Sequence, residues 1–149
     1  MIERLEQYAE EAKRIAEEEA AREAAENLRT KEAQEAYTHI GKFMTTGFSF
    51  DDYKVDKYKS IVSAQCIIGT GLVSEFAASI TDFFGTESNA FSTKLDQAKD
   101  TAIDRLKRKA VIAGANAIIG VDFDYITFAN NMLGVIANGT AVVISKIEE

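Results

Sequence analysis

A chain of 149 residues, 46% hydrophobic and 28% charged, fits one globular domain plus an appendage and excludes a disordered polypeptide. The net charge of −7 is unevenly placed, with eleven acids and six bases in residues 1–36 against thirteen and eleven in the remainder. An acidic chain argues against DNA or RNA as partner, because that binding rests on Lys and Arg contacts to phosphate.

Residues 1 to about 38 are rich in Ala and Glu, contain no Gly and predict a helical arm. Glu10 with Arg14 and Glu18 with Arg22 are spaced as pairs one turn apart. A stripe of small apolar residues (Ile2, Leu5, Ala9, Ala12, Ala16, Ala20, Ala24, Leu28) steps by about 3.7, longer than a left-handed coiled coil requires. A solvated, charge-laced helix accounts for this pattern, and self-association through the Ala stripe is the alternative. A surplus of Glu does not suit a membrane-surface helix. Because Ala buries little area, the arm, residues 1–40, is expected to be dispensable to the remaining fold.

Gly41 and Gly47 flank a predicted hinge, where composition shifts to aromatic and β-branched residues, so the second domain is expected over 44–149. Residues 53–68 predict a strand with Ile61, Ser63, Gln65 and Ile67 on one face and Val62, Ala64, Cys66 and Ile68 on the other. Gly69-Thr70-Gly71 then leads into a helical stretch, Leu72 to Phe84, which Gly85 ends. A second helix is expected over about 90–113, burying Phe91, Leu95, Ala98, Ala102, Leu106, Ala110 and Ala113. Its late basic residues, Arg105 and Lys107 to Lys109, read as a solvated face that complements the helix dipole. Gly114 is placed as the left-handed stop residue.

Two long strands, 117–128 and 132 to about 146, pair as an antiparallel hairpin through Ala129-Asn130-Asn131. Asn138-Gly139 is ordinarily a hairpin signal. The matched lengths of the flanking runs favour a bulge in one continuous strand instead. Ile118, Ile126 and Phe128 are expected on one face, with Ile119, Val121, Phe123 and Tyr125 on the other. A strand apolar on both faces wants cover on both, and other copies of the chain are expected to supply it.

Several of these residues carry a resemblance. Gly114-Ala115-Asn116-Ala117-Ile118-Ile119-Gly120-Val121, then Asp122 to Tyr125, Gly139 to Val143, and Tyr58 to Ser63 followed by Gly69, resemble the YbjQ-like family, labelled heavy-metal-binding. The resemblance implies an α+β fold: a dodecin-like strand–helix–strand–strand core with an antiparallel hairpin of long strands, here behind an N-terminal helical arm. It also implies a homo-oligomer, a pentameric ring. Members often carry a Gly-Gly-Arg-Ser loop. Gly85-Thr86-Glu87-Ser88 replaces its Arg by a carboxylate, which reverses the charge of any anion site built on it.

The donor chemistry of the residues is narrower than that label. Soft metals prefer thiolate and imidazole, and the chain has one Cys and one His. Cys66 reads as a small core residue and His39 as a solvated residue near the end of the arm. Asp122 and Asp124, two apart on a strand, point the same way. Repeated by symmetry they would bind Mg²⁺, Ca²⁺ or Mn²⁺, a divalent cation being the only cofactor this chemistry suggests. Alternatively they face solvent or pair with a lysine. Gly69, Thr70, Gly71 and Ser74 outline a candidate ligand-binding turn, backbone amides at a helix start, with Ser74 where a dinucleotide fingerprint has Gly. No catalytic pairing is present, and Glu75, Asp82 and Glu87 read either as a carboxylate cluster or as surface acids.

The expectation is therefore a non-enzymatic, ring-forming protein that binds a small ligand or metal cation at subunit interfaces. A multivalent scaffold whose acidic arm contacts a partner protein is the alternative. The first residues lack the apolar stretch of a signal peptide, and nowhere do 18 apolar residues run together, so a cytoplasmic protein without membrane contact is expected.

Overall fold

The computed structural model describes residues 2–68, 89–128 and 132–148. The helical stretch expected over 72–84, the turn at Gly69, Thr70, Gly71 and Ser74, the 85–88 loop and the 129–131 turn lie outside them. The elements are α1 (Ile2–Lys42), β1 (Tyr53–Ile68), α2 (Asn89–Ile112), β2 (Ala117–Phe128) and β3 (Met132–Lys146). The fold is α+β. No helix among the described residues is long and apolar enough to cross a membrane.

The chain divides into residues 1–36 and 37–149. Residues 10–35 of α1 are exposed throughout, the Ala12 to Leu28 stripe included. Arg14 there reaches Glu11, at 4.0 Å. The last turns of α1 belong to the second unit, and Ile40 is fully buried in its core. Tyr37 is half-buried and Ile40 fully buried within this unit.

In the second unit a three-stranded antiparallel sheet has the order β1-β3-β2. Packing α2 on one face buries Ala98, Ala102, Leu106 and Ala110 against Val62, Ala64, Ile118, Val121, Val135 and Ala137. Leu106, Ile118 and Val135 are completely buried, and each such side chain contributes about 1.5–3 kcal/mol. The helix ends in a Schellman arrangement: Gly114 at φ 75° lets its own N–H reach Val111 O at 2.9 Å and Ala115 N–H reach Ala110 O at 3.0 Å.

Asn138-Gly139 lies inside one continuous strand, as expected, but the extra residue is on the partner strand. Ile119 opposes Thr140 and Asp122 opposes Asn138, so Gly120 and Val121 together face Gly139. Gly120 takes a left-handed φ of 59°, and the bulge reverses which residues face α2. Ile118 therefore joins Val121 under the helix, with Phe123 packed against that cluster, while Ile119 lies with Ala117 on the other face. The simple alternation expected for Ile118 and Ile119 is thereby corrected.

The expected hinge is also structured. Gly41 is helical, and the segment after it runs along the outer edge of β2. Ile118 N–H donates to Phe43 O at 2.9 Å, Thr45 N–H to Ile118 O at 3.1 Å, Gly120 N–H to Gly47 O at 2.7 Å and Val121 N–H to Thr45 O at 3.0 Å. Phe43 and Phe50 then cover Ala117, Ile119, Val142 and Ile144, half of the face opposite α2.

Candidate functional site

Beyond that aromatic cover, the second face of the sheet carries the expected carboxylate pair. After the bulge, Asp122 and Asp124 stand on the side away from α2 and both are exposed. The register sets Asn138 beside Asp122 and Ser63 beside Asn138. Ser63 Oγ–H donates to Asn138 Oδ1 at 2.7 Å, and Asn138 Nδ2–H donates to Asp124 Oδ2 at 2.9 Å. A polar chain thus crosses all three strands. It is bordered by Ile61 (86% exposed), Ile67 (49%) and Ile126 (40%).

One chain here offers two carboxylates, a hydroxyl and an amide oxygen. No group of three His, Cys, Asp or Glu side chains is assembled among the described residues. A hard cation that takes six to eight oxygens would need donors from elsewhere. Fit to a soft metal is poorer still. Cys66 packs against the core cluster beneath α2. His39, exposed on the last turn of α1, donates from Nδ1 to Asn116 O at 2.9 Å and stacks on Phe43 at 4.8 Å. Cys66 thus packs with the cluster under α2, while His39 stacks on Phe43 at the other cluster, so the one thiol and one imidazole of the chain do not form a joint ligand set.

The basic residues of α2 are engaged rather than merely solvated. Arg105 Nη1–H donates to Gln65 O at 2.6 Å and Lys109 Nζ–H to Ser63 O at 2.5 Å, so two cations occupy the outer edge of β1. Arg105 and Lys109 are four apart on one flank of the helix, a spacing visible in the sequence without a target to explain it. Arg108 Nε–H donates to Asp104 Oδ2 at 2.8 Å, and Tyr37 O–H donates to Asp104 Oδ1. Lys107 lies 5.1 Å above the Tyr37 ring. The Arg108 bond, helped by the Tyr37 hydroxyl, holds the Asp104 carboxyl below its ordinary value. The bond to Asp104 raises Tyr37 above its own, with burial and the carboxylate charge adding to it.

The candidate ligand turn (Gly69, Thr70, Gly71, Ser74) and the acids Glu75, Asp82 and Glu87 lie outside the described residues.

Residues 43–145 match a family model, YbjQ, described as "Putative heavy-metal-binding". A UPF0145 protein of Acetivibrio thermocellus is 44% identical over 103 residues, 68% of this chain and 97% of that protein. A UPF0145 protein of Anoxybacillus flavithermus is 38% identical over 103 residues, 69% of this chain and 98% of that one. A crystal structure of a protein of unknown function of the DUF74 family from Pediococcus pentosaceus is 20% identical, covers 69% of this chain and 97% of that chain, and superposes with a TM-score of 0.44. The family match starts immediately after α1.

Proposed function

Starting from the fact that the chain belongs to the YbjQ family, we propose that it is a cytoplasmic, non-enzymatic domain that assembles into a ring, a pentamer, and takes a small ligand or a hard divalent cation where its copies meet. The observation that carries this reading is the exposed half of the sheet face: isoleucines around a hydrogen-bonded polar chain that ends on paired carboxylates. Exposed isoleucine on a sheet face is the kind of surface that association covers. Symmetry would also multiply the two carboxylates of one chain toward the ligand number a hard cation takes.

Asp122 and Asp124 would hold the cation, with Asn138 orienting Asp124. Gly69, Thr70, Gly71 and Ser74 remain the candidate for an anionic small ligand. Native mass spectrometry combined with light scattering tests the assembly. The expected mass is five times the 16.4 kDa chain. A monomer at micromolar concentration sinks the reading.

A second reading rests on the exposed surface of α1 over residues 10–35 and its excess of Glu. There the ring is a scaffold, and the arm contacts a partner protein. Residues 37–149 assembling with the stoichiometry of the full chain would favour it, since the arm would then have no part in assembly.

A further inference from the structure

We infer that copies of this chain join head to tail, the open outer edge of β2 in one copy meeting the lysine-bearing first half of β1 in the next. The inference rests on the self-association just proposed and specifies its surface.

The two sheet edges are unequal. On β1 the carbonyls of Ser63 and Gln65 point outward, away from β3. Lys109 and Arg105 occupy those carbonyls, as expected of an edge defended against strand addition. On β2 the first half of the outer edge is bonded to the 43–47 segment, ending at Val121 N–H. Because the Val121 N–H points outward and bonding direction alternates along a strand, Phe123, Tyr125 and Thr127 present N–H and C=O outward. Among the described residues nothing bonds them. An open strand edge of this kind takes up another chain.

Charge and apolar exposure identify the occupant. Asp122 and Asp124 make the β2 edge acidic, whereas the first half of β1 carries exposed Lys57 and Lys59 beside a Lys54–Asp56 ion pair at 3.8 Å. The large exposed apolar side chains of the sheet also divide between these two strands: Tyr58 (68%), Ile61 and Ile67 on β1, Tyr125 (50%) and Ile126 on β2, and none on the central β3. Two register shifts, Val55/Lys57 and Tyr58/Ser60, keep this half of β1 from being a flat template. Complementary charge and contact, more than a long ladder, therefore set the pairing. Because the two surfaces differ, the contact is heterologous, and a heterologous contact with the right rotation closes into a ring.

The test is the mass of the full chain and its variants by light scattering, with circular dichroism to verify folding. Tyr125→Pro removes an outward N–H while sparing the β2–β3 ladder, and it is expected to give folded monomer. Asp122→Lys/Asp124→Lys and Lys57→Glu/Lys59→Glu should each dissociate the assembly, and all four changes in one chain should restore it. These variants keep the test open if Tyr125→Pro misfolds. An assembly whose mass survives folded Tyr125→Pro and both charge reversals overturns this contact and leaves self-association standing. A monomeric wild type overturns both.

Discussion

The Asn116 side chain clamps the backbone of Ile144 from both ends: Nδ2–H donates to Ile144 O at 2.9 Å, and Oδ1 accepts from Ile144 N–H at 2.7 Å. Its own N–H reaches Val142 O at 3.0 Å. The residue leading into β2 thereby acts as one more rung on β3, which gives the Gly114-Ala115-Asn116-Ala117 stretch a structural reason.

Asn116→Ala is expected to lower stability by about 2 kcal/mol, two hydrogen bonds at about 1 kcal/mol each. Asn116→Asp keeps the acceptor but sets a carboxylate against a carbonyl, and should cost more at neutral pH. Urea unfolding measures both. Equal stability of Asn116→Ala and wild type would mean that solvent replaces both bonds without loss.

Gly139 faces the bulge, and a Cβ there would lie 2.6 Å from Ile118 Cγ2, a fully buried side chain. Gly139→Ala should therefore destabilise by about 1–3 kcal/mol through overpacking. Gly120→Ala meets a left-handed φ and Phe48 at 3.0 Å, and about 1–2 kcal/mol is expected from the backbone alone. Thermal melts of the two variants report the difference.

Truncation should be sensitive to four residues. Removing 1–36 is expected to leave the melting transition of the rest within a few degrees, because residues 10–35 bury nothing. Removing 1–40 also takes Tyr37 and Ile40. Loss of a buried Ile costs about 2–5 kcal/mol. Comparing the two melting temperatures decides whether the boundary falls before Tyr37.

The Asp104 network predicts a pH dependence with two limbs. A carboxyl lowered by Arg108 and Tyr37 stabilises the fold above its unfolded value of about 3.9, and that contribution is lost as pH falls through the lower folded value. Tyr37, raised chiefly by Asp104, contributes below about 10 and loses that contribution as pH rises through its folded value. The network is solvent-facing, so the effect on melting temperature is small. Asp104→Asn should flatten both limbs. Unchanged profiles would show that the bonds add nothing in solution.

Cation binding through the chain's own side chains should depend on Asp122 and Asp124. Mn²⁺ or Ca²⁺ is expected to raise the melting temperature of wild type and not of Asp122→Asn/Asp124→Asn, with the effect fading in acid as carboxylates protonate. Tight Cu⁺ or Cd²⁺ binding that persists in that double variant and disappears with Cys66→Ser would replace the carboxylate site by a thiolate one.

Much of the architecture is legible from local pattern. Ala98, Ala102, Leu106 and Ala110 recur with helical spacing, Gly114 stops the helix, and Val62 to Ile68 alternate as a strand does, because period and backbone preference act over a few residues. The continuity of β3 through Asn138-Gly139 follows from matched strand lengths. The shared side of Asp122 and Asp124 follows from the two-residue period of a strand, which needs no knowledge of the partner strand.

What the tertiary structure decided depends on partners distant in the chain. Strand order β1-β3-β2 and the bulge at Gly120-Val121 arise from pairing with β3, and one extra residue in β2 exchanges the faces of Ile118 and Ile119. Arg105 and Lys109 look like solvated bases until Gln65 and Ser63 carbonyls, 40 and 46 residues away, are set beside them. Residues 43–50 read as a hinge because their hydrogen bonds lie on β2 and their aromatic rings over β3, and no local pattern announces either. Sequence period determines which face of an element is apolar; only packing decides what meets that face, and which edge is left open.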